Sequence, residues 1–174
     1  IADSVNIPII LYNVFGQALL RWVVPTVAML SKHKNIVAVK EASGNLAQVT
    51  EIARLTDDDF GVDSVSADAI IPTMSVGGFG VISVVANIAP KDTHNMVKYY
   101  LEGNYNEALR LQLDMKPLID AIFIEVNPIP VKTAMNLMGM KAGNLRLPLT
   151  EMCGDNLNTL ISQMVNYGLI NKED

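Results

Sequence analysis

Four short apolar runs constrain this chain more than anything else in it: Pro8 to Val14, Ile36 to Lys40, Phe60 to Val65, and Gly80 to Val84. Each is a continuous apolar stretch with little alternation, the pattern of parallel strands covered on both faces. Helical stretches separate them. Val23 to His33 follows the first run, and Gln48 to Leu55 follows the second after the cap signals Ser43-Gly44-Asn45. Asp68 to Val76 follows the third and stops at Gly77-Gly78. Short connections and right-handed crossovers make these units one curved parallel sheet.

Beyond the fourth run the sequence turns helical. Pro90 opens a helix through Leu101 that Gly103 closes. A long helix from Tyr105 to Ile124 carries Pro117 inside it, which is expected to bend or divide it. Asn127-Pro128-Ile129-Pro130 reads as a rigid linker into a helix from Val131 to Met138, stopped by Gly139. Thr150 is expected to cap a last helix that ends at Tyr167 and Gly168, followed by a frayed tail at 171–174. The organisation is therefore four β/α units over residues 1–89 and C-terminal helices over 90–174. Four such units are half of a (β/α)8 TIM barrel, so the expected fold is an α/β half-barrel followed by a helical segment. An open four-stranded parallel sheet leaves two apolar edges that something must cover. A doubly wound nucleotide-binding sheet is disfavoured, because Gly77-Gly78-Phe79-Gly80 precedes a strand instead of following one.

Composition narrows the function classes. The chain has 174 residues, half of them hydrophobic and only 18% charged, with a positive mean hydropathy of +0.28. That suggests strands buried on both faces or a large interface. No run reaches the length of a membrane span, and Ile1-Ala2-Asp3-Ser4 has no signal-peptide character. A net charge of −5 without a basic patch argues against nucleic acid. The single cysteine, Cys153, excludes an internal disulfide framework and fits a reducing, cytoplasmic setting as a buried or half-buried helix residue. His33 and His94 lack partner spacing and read as helix-surface residues, so neither a metal nor a cofactor is expected. Met135 to Met140 reads as core packing, and Glu107, Arg110 and Asp114 as a solvated helix face.

The residue with the clearest chemical possibility is Lys40, at the end of Ile36-Val37-Ala38-Val39 and before Glu41-Ala42-Ser43-Gly44-Asn45. The C-terminal ends of strands are where α/β barrels hold their chemistry. A desolvated amine there has a lowered pKa and can attack a carbonyl to form a Schiff base. A solvated lysine that marks a strand end is the alternative reading of the same residues.

Four stretches resemble one known family: Ile9-Ile10-Leu11-Tyr12-Asn13-Val14, Val39-Lys40-Glu41-Ala42-Ser43-Gly44, Gly80-Val81-Ile82-Ser83-Val84, and Asn127-Pro128-Ile129-Pro130-Val131-Lys132. In order and at family spacing, the chain is similar to the carboxyl-terminal part of dihydrodipicolinate synthases. These are pyruvate-dependent class I aldolases related to N-acetylneuraminate lyase. The last stretch, continuing into Asn136-Leu137-Met138-Gly139-Met140, favours the synthases over the lyases. The resemblance implies that Lys40 captures pyruvate or a similar keto acid as a Schiff base. Its enamine would then attack aspartate semialdehyde in lysine biosynthesis. It also implies that Tyr12 relays protons and that the Ile82 backbone carbonyl lines the pocket.

The departures from the family pattern define the competing reading. The family arginine that grips the second substrate's carboxylate is replaced by Gln17, which cannot form a bidentate charged clamp. The family's first four β/α units, which carry a threonine of the proton relay, have no counterpart in this sequence. Turnover by such a chain is therefore expected to be impaired. Small or polar family positions are Phe15, Ala18, Leu19, Leu20, Trp22, Val65, Ala67 and Phe79 here, a set expected to gather on one new interface. On this reading the chain is a non-catalytic, re-faced, engineered or selected scaffold that pairs with a second copy. Such a homodimer would close eight strands around two copies of Lys40.

Overall fold

All four apolar runs enter one parallel sheet whose strand order, β1-β2-β3-β4, follows the chain. The computed structural model describes residues 1–14, 23–64 and 67–171. Strand β1 is Ile9–Val14, β2 is Ile36–Ala42, β3 is Gly61–Ser64 and β4 is Gly80–Val81. Helix α1, Val24–Leu30, links β1 to β2, and α2, Leu46–Leu55, links β2 to β3. A short 3-10 turn, Ala67–Ala69, leads into α3, Ile70–Ser75, ahead of β4. The strands lie in the unit Ile1–Ser83, and Val84–Asp174 forms a second unit.

Burial on this sheet is one-sided, which corrects the expectation of strands covered on both faces. Side chains alternate across a strand. Ile9 and Leu11 pack on the helix-covered side against Val27, Ile36, Val39, Val49, Ile52, Phe60 and Val62. Their neighbours Ile10 and Tyr12 are 48% and 45% exposed on the opposite, open face. A register irregularity between Ile9 and Ile10 lets the pairing step from Ile36 to Ala38. Val37, passed over in that step, is exposed.

The strand limits also move. β2 continues two residues beyond Lys40, because Glu41 finds hydrogen-bond partners inside the fold. β4 is shorter than the run Gly80 to Val84. Val84 already has helical backbone angles (φ −61°, ψ −41°), and a 3-10 turn over Val85–Asn87 ends the extended segment.

The second unit contains four helices among its described residues: α4, Pro90–Leu101; α5, Tyr105–Ile122; α6, Ile129–Leu137; and α7, Gly154–Tyr167. α5 packs against α4 and α7. Met96, Met115, Leu118, Ile119, Ile122, Leu160 and Met164 are fully buried or nearly so. Pro117 does not divide α5, which runs on as a single helix with the proline on its exposed side. α6 starts two residues earlier than Val131, with Pro130 in its first turn, where a missing N–H costs nothing.

α7 starts at Gly154 with Cys153 as N-cap, so Thr150 is not the cap. The reason lies in Glu125, whose Oε1 accepts from the Cys153 backbone N–H (2.9 Å) and from Asn156 Nδ2 (2.8 Å). Those bonds fix the first turn at Cys153, which is exposed and not buried. Nor do the methionines around α6 form a core: Met140 is 52% exposed, and Ile129, Pro130, Val131 and Ala134 are the helix's buried residues. His33 accepts at Nδ1 from the Asn35 N–H and pairs through Nε2 with Asp3 at 2.9 Å. That contact holds the Asp3 carboxyl below its usual range.

Candidate active site

Sheet register builds the site. Tyr12 lies opposite Lys40, Lys40 opposite Asp63, and Asp63 opposite Gly80. Parallel strands about 4.8 Å apart in register present such residues on one face. This row sits toward the C-terminal ends of the strands, two residues before the end of β1 and of β2. The row below it is Ile10, Ala38 and Gly61. A Cβ on Gly61 would come within 3.0 Å of the Ala38 Cβ, so that layer is kept low by its small residues.

Lys40 Nζ lies over the Tyr12 ring, 4.2 Å from its centroid. The quadrupole of the ring attracts a cation in that position. Partial burial acts in the other direction and holds the Lys40 amine below its usual range. Asp63 is also half-buried on this face, and desolvation holds its carboxyl above the usual carboxylate range. Asp63 stands inside an apolar run, where nothing in the sequence alone marks it as a site residue. It is a lone charge in a strand, and only the register shows that it adjoins Lys40.

Glu41 points to the opposite face and is 5% exposed. Its Oε2 accepts from Asn13 Nδ2 at 2.7 Å and from Gln48 Nε2 at 3.2 Å, and Oε1 accepts from the Ser43 N–H at 2.8 Å. Asn13 and Gln48 are themselves buried. The group ties β1, β2 and the start of α2 together immediately behind Lys40. Asn45 caps α2 by accepting from the Gln48 N–H, which orients Gln48 toward Glu41. In sequence the pair Lys40-Glu41 resembles the polar end of a strand, which hides this role of Glu41.

Comparison with known proteins shows the family. The model of the Dihydrodipicolinate synthetase family matches residues 1–166. The chain belongs to that family. It is 53% identical over 171 residues to the 4-hydroxy-tetrahydrodipicolinate synthase of Thermoanaerobacter sp. strain X514, covering 98% of this chain and 58% of the relative. It is 51% identical over 170 residues to 4-hydroxy-tetrahydrodipicolinate synthase 1 of Clostridium acetobutylicum, with the same two coverages. The solved dihydrodipicolinate synthase of Aquifex aeolicus superposes with a TM-score of 0.93 at 38% identity, covering 97% of this chain and 58% of that one. The chain thus spans somewhat over half the length of the family members it matches. Its four parallel strands with helices correspond to part of their barrel.

Within the family frame, the residues singled out from sequence divide. Tyr12 and Lys40 come together on one face. Ile82 follows β4 directly, 41% exposed, with its N–H bonded to the Ser64 carbonyl at 2.9 Å. Gln17 lies outside the described residues, as do Phe15, Ala18, Leu19, Leu20, Trp22 and Val65. The remaining two apolar replacements do not share a surface. Ala67 is fully buried beyond the C-terminal end of β3, whereas Phe79 is exposed and precedes β4 at the opposite end of the sheet.

Proposed function

We propose that this chain carries the Schiff-base chemistry of its family, with Lys40 as the nucleophile that captures pyruvate. The observation that supports it is the half-buried Lys40 amine seated over Tyr12 toward the C-terminal ends of the strands. An amine with a lowered pKa has a larger neutral fraction near pH 7 and so a usable lone pair. Tyr12 is the proton relay that serves the resulting imine and enamine, and the Ile82 carbonyl lines the pocket. The enamine adds to the aldehyde carbon of aspartate semialdehyde, the step that feeds lysine biosynthesis. Turnover is weak in this chain, since Gln17 stands where the carboxylate-gripping arginine would be. The chemistry uses no metal or cofactor, and its setting is the cytoplasm.

The test is borohydride trapping with pyruvate, followed by intact mass and peptide mapping. Parent protein is expected to gain one reduced pyruvate adduct on Lys40, and Lys40→Ala none. An adduct absent from folded parent protein, or persisting in Lys40→Ala, removes the proposal.

A second reading, self-association into a closed barrel, is favoured by one observation. Ile10 and Tyr12 are about half exposed on the open face of a sheet whose edge strands are β1 and β4. We propose that a second copy covers that face, so that the dimer and not the single chain forms the lumen around Lys40.

A further inference from the structure

The open face carries a third chemical group beside Tyr12 and Lys40. Asp63 is the register partner of Lys40 on β3 and lies in the same row of the sheet. The two heads lean apart. Lys40 Nζ turns toward β1 and rests on the Tyr12 ring. Asp63 turns toward β4, where its Oδ1 lies 3.6 Å from the point a Cβ on Gly80 would occupy. A Cβ there would stand in ordinary van der Waals contact with that oxygen, so the carboxyl group borders Gly80 on β4. The space above the β2–β3 pair therefore lies between an amine and a carboxyl group on neighbouring strands.

We propose that Asp63 is the catalytic acid that dehydrates the carbinolamine formed on Lys40. This inference rests on the Schiff-base reading of Lys40. The neutral Lys40 amine adds to the keto carbon, a C–N bond forms, and the carbonyl π pair moves to oxygen. A proton passes from nitrogen to that oxygen, giving the carbinolamine. The nitrogen lone pair then expels the hydroxyl as the Asp63 carboxyl proton reaches it. Water leaves, the C=N bond forms, and the products are an iminium on Lys40 and a carboxylate on Asp63. That ion pair of iminium and carboxylate replaces two neutral groups, and in the reverse step the carboxylate takes a proton from the water that adds to the iminium.

Desolvation favours the role, because a half-buried carboxyl group keeps a larger protonated fraction near neutral pH than an exposed one. Tyr12 does not duplicate it. The ring face, not the phenolic edge, is what Tyr12 presents to Nζ. Glu41 cannot substitute, since it faces the other side of the sheet and its oxygens are taken up by Asn13, Gln48 and Ser43.

The test follows the rate of adduct formation with pyruvate under cyanoborohydride, read by intact mass. The panel is parent protein, Asp63→Asn, Asp63→Ala and Lys40→Ala, each checked for folding by circular dichroism. Asp63→Asn is expected to trap roughly 100-fold more slowly than the parent, within the range that a general acid contributes, and to reach the same final adduct on Lys40. Asp63→Ala is expected to regain rate as formate is added, because a small acid can enter the space the side chain leaves. A purely structural role for Asp63 gives no such rescue. Parental rates in both folded Asp63 variants, or slow trapping that formate leaves unchanged, overturn the role of Asp63 alone. A parent that forms no adduct on Lys40 overturns the Schiff-base reading and this inference with it.

Discussion

Two carboxyl groups near Lys40 answer to opposite physical demands. Glu41 is buried behind the strand and accepts three hydrogen bonds from buried or half-buried donors. Removing the acceptor leaves those donors unpaired, at about 1–3 kcal/mol each for buried groups. Glu41→Ala is therefore expected to lower stability by about 3 kcal/mol, measured by urea unfolding. A loss below about 1 kcal/mol would show that water or neighbours readily replace it. Asp63 lies on the open face, and burial raises its folded pKa above the unfolded value near 3.9. Between those two values the folded state binds more protons than the unfolded state, so stability falls as pH rises through that window. Asp63→Asn removes the effect. Its stability relative to the parent is expected to increase as pH rises through and above the ordinary carboxylate range. A difference independent of pH contradicts this account. Neither carboxyl group was visible in sequence, where Glu41 looked like a strand end and Asp63 like an interruption. Lys40 was visible because it ends an apolar run, and Tyr12 because it stands in a stretch that resembles a family motif.

At the level of elements, the sequence was most readable where a single residue dictates backbone geometry. Gly103, Gly139 and Gly168 each mark a helix end, and all three have left-handed φ values of 78°, 76° and 82°. The next residue's N–H then reaches back five residues: Asn104 to Tyr99, Met140 to Met135, and Leu169 to Met164, at 2.8–2.9 Å. That closure satisfies a helix carbonyl that would otherwise be orphaned. Gly168→Ala forces a Cβ into that conformation and is expected to cost about 1 kcal/mol, read from thermal or urea unfolding. An unchanged midpoint would mean that the last turn of α7 unwinds freely. Helix starts were less readable. Thr150 has the chemistry of a cap, but the start of α7 is set by Glu125, far away in sequence. The length of β4 was misread for a similar reason, since hydropathy cannot distinguish an extended Val84 from a helical one.

For the whole molecule, the four-strand parallel order and the helical second half followed from the spacing of apolar runs and helix stops. The one-sided burial did not. Strands buried on both faces in a closed barrel have the same composition whether or not the covering half belongs to the same sequence. The open face with Ile10 and Tyr12 appears only once the strands are arranged. If a second copy covers it, sedimentation velocity of the 174-residue chain at micromolar concentration should show a dimer, and Tyr12→Asp should shift it toward monomer. A strictly monomeric parent would contradict self-association. The most direct measurement for the central claim is the pyruvate adduct itself, mapped to a single lysine after borohydride reduction. The account predicts one reduced adduct at Lys40, lost in Lys40→Ala. Folded protein that gains no adduct, or gains it on other lysines, would contradict it.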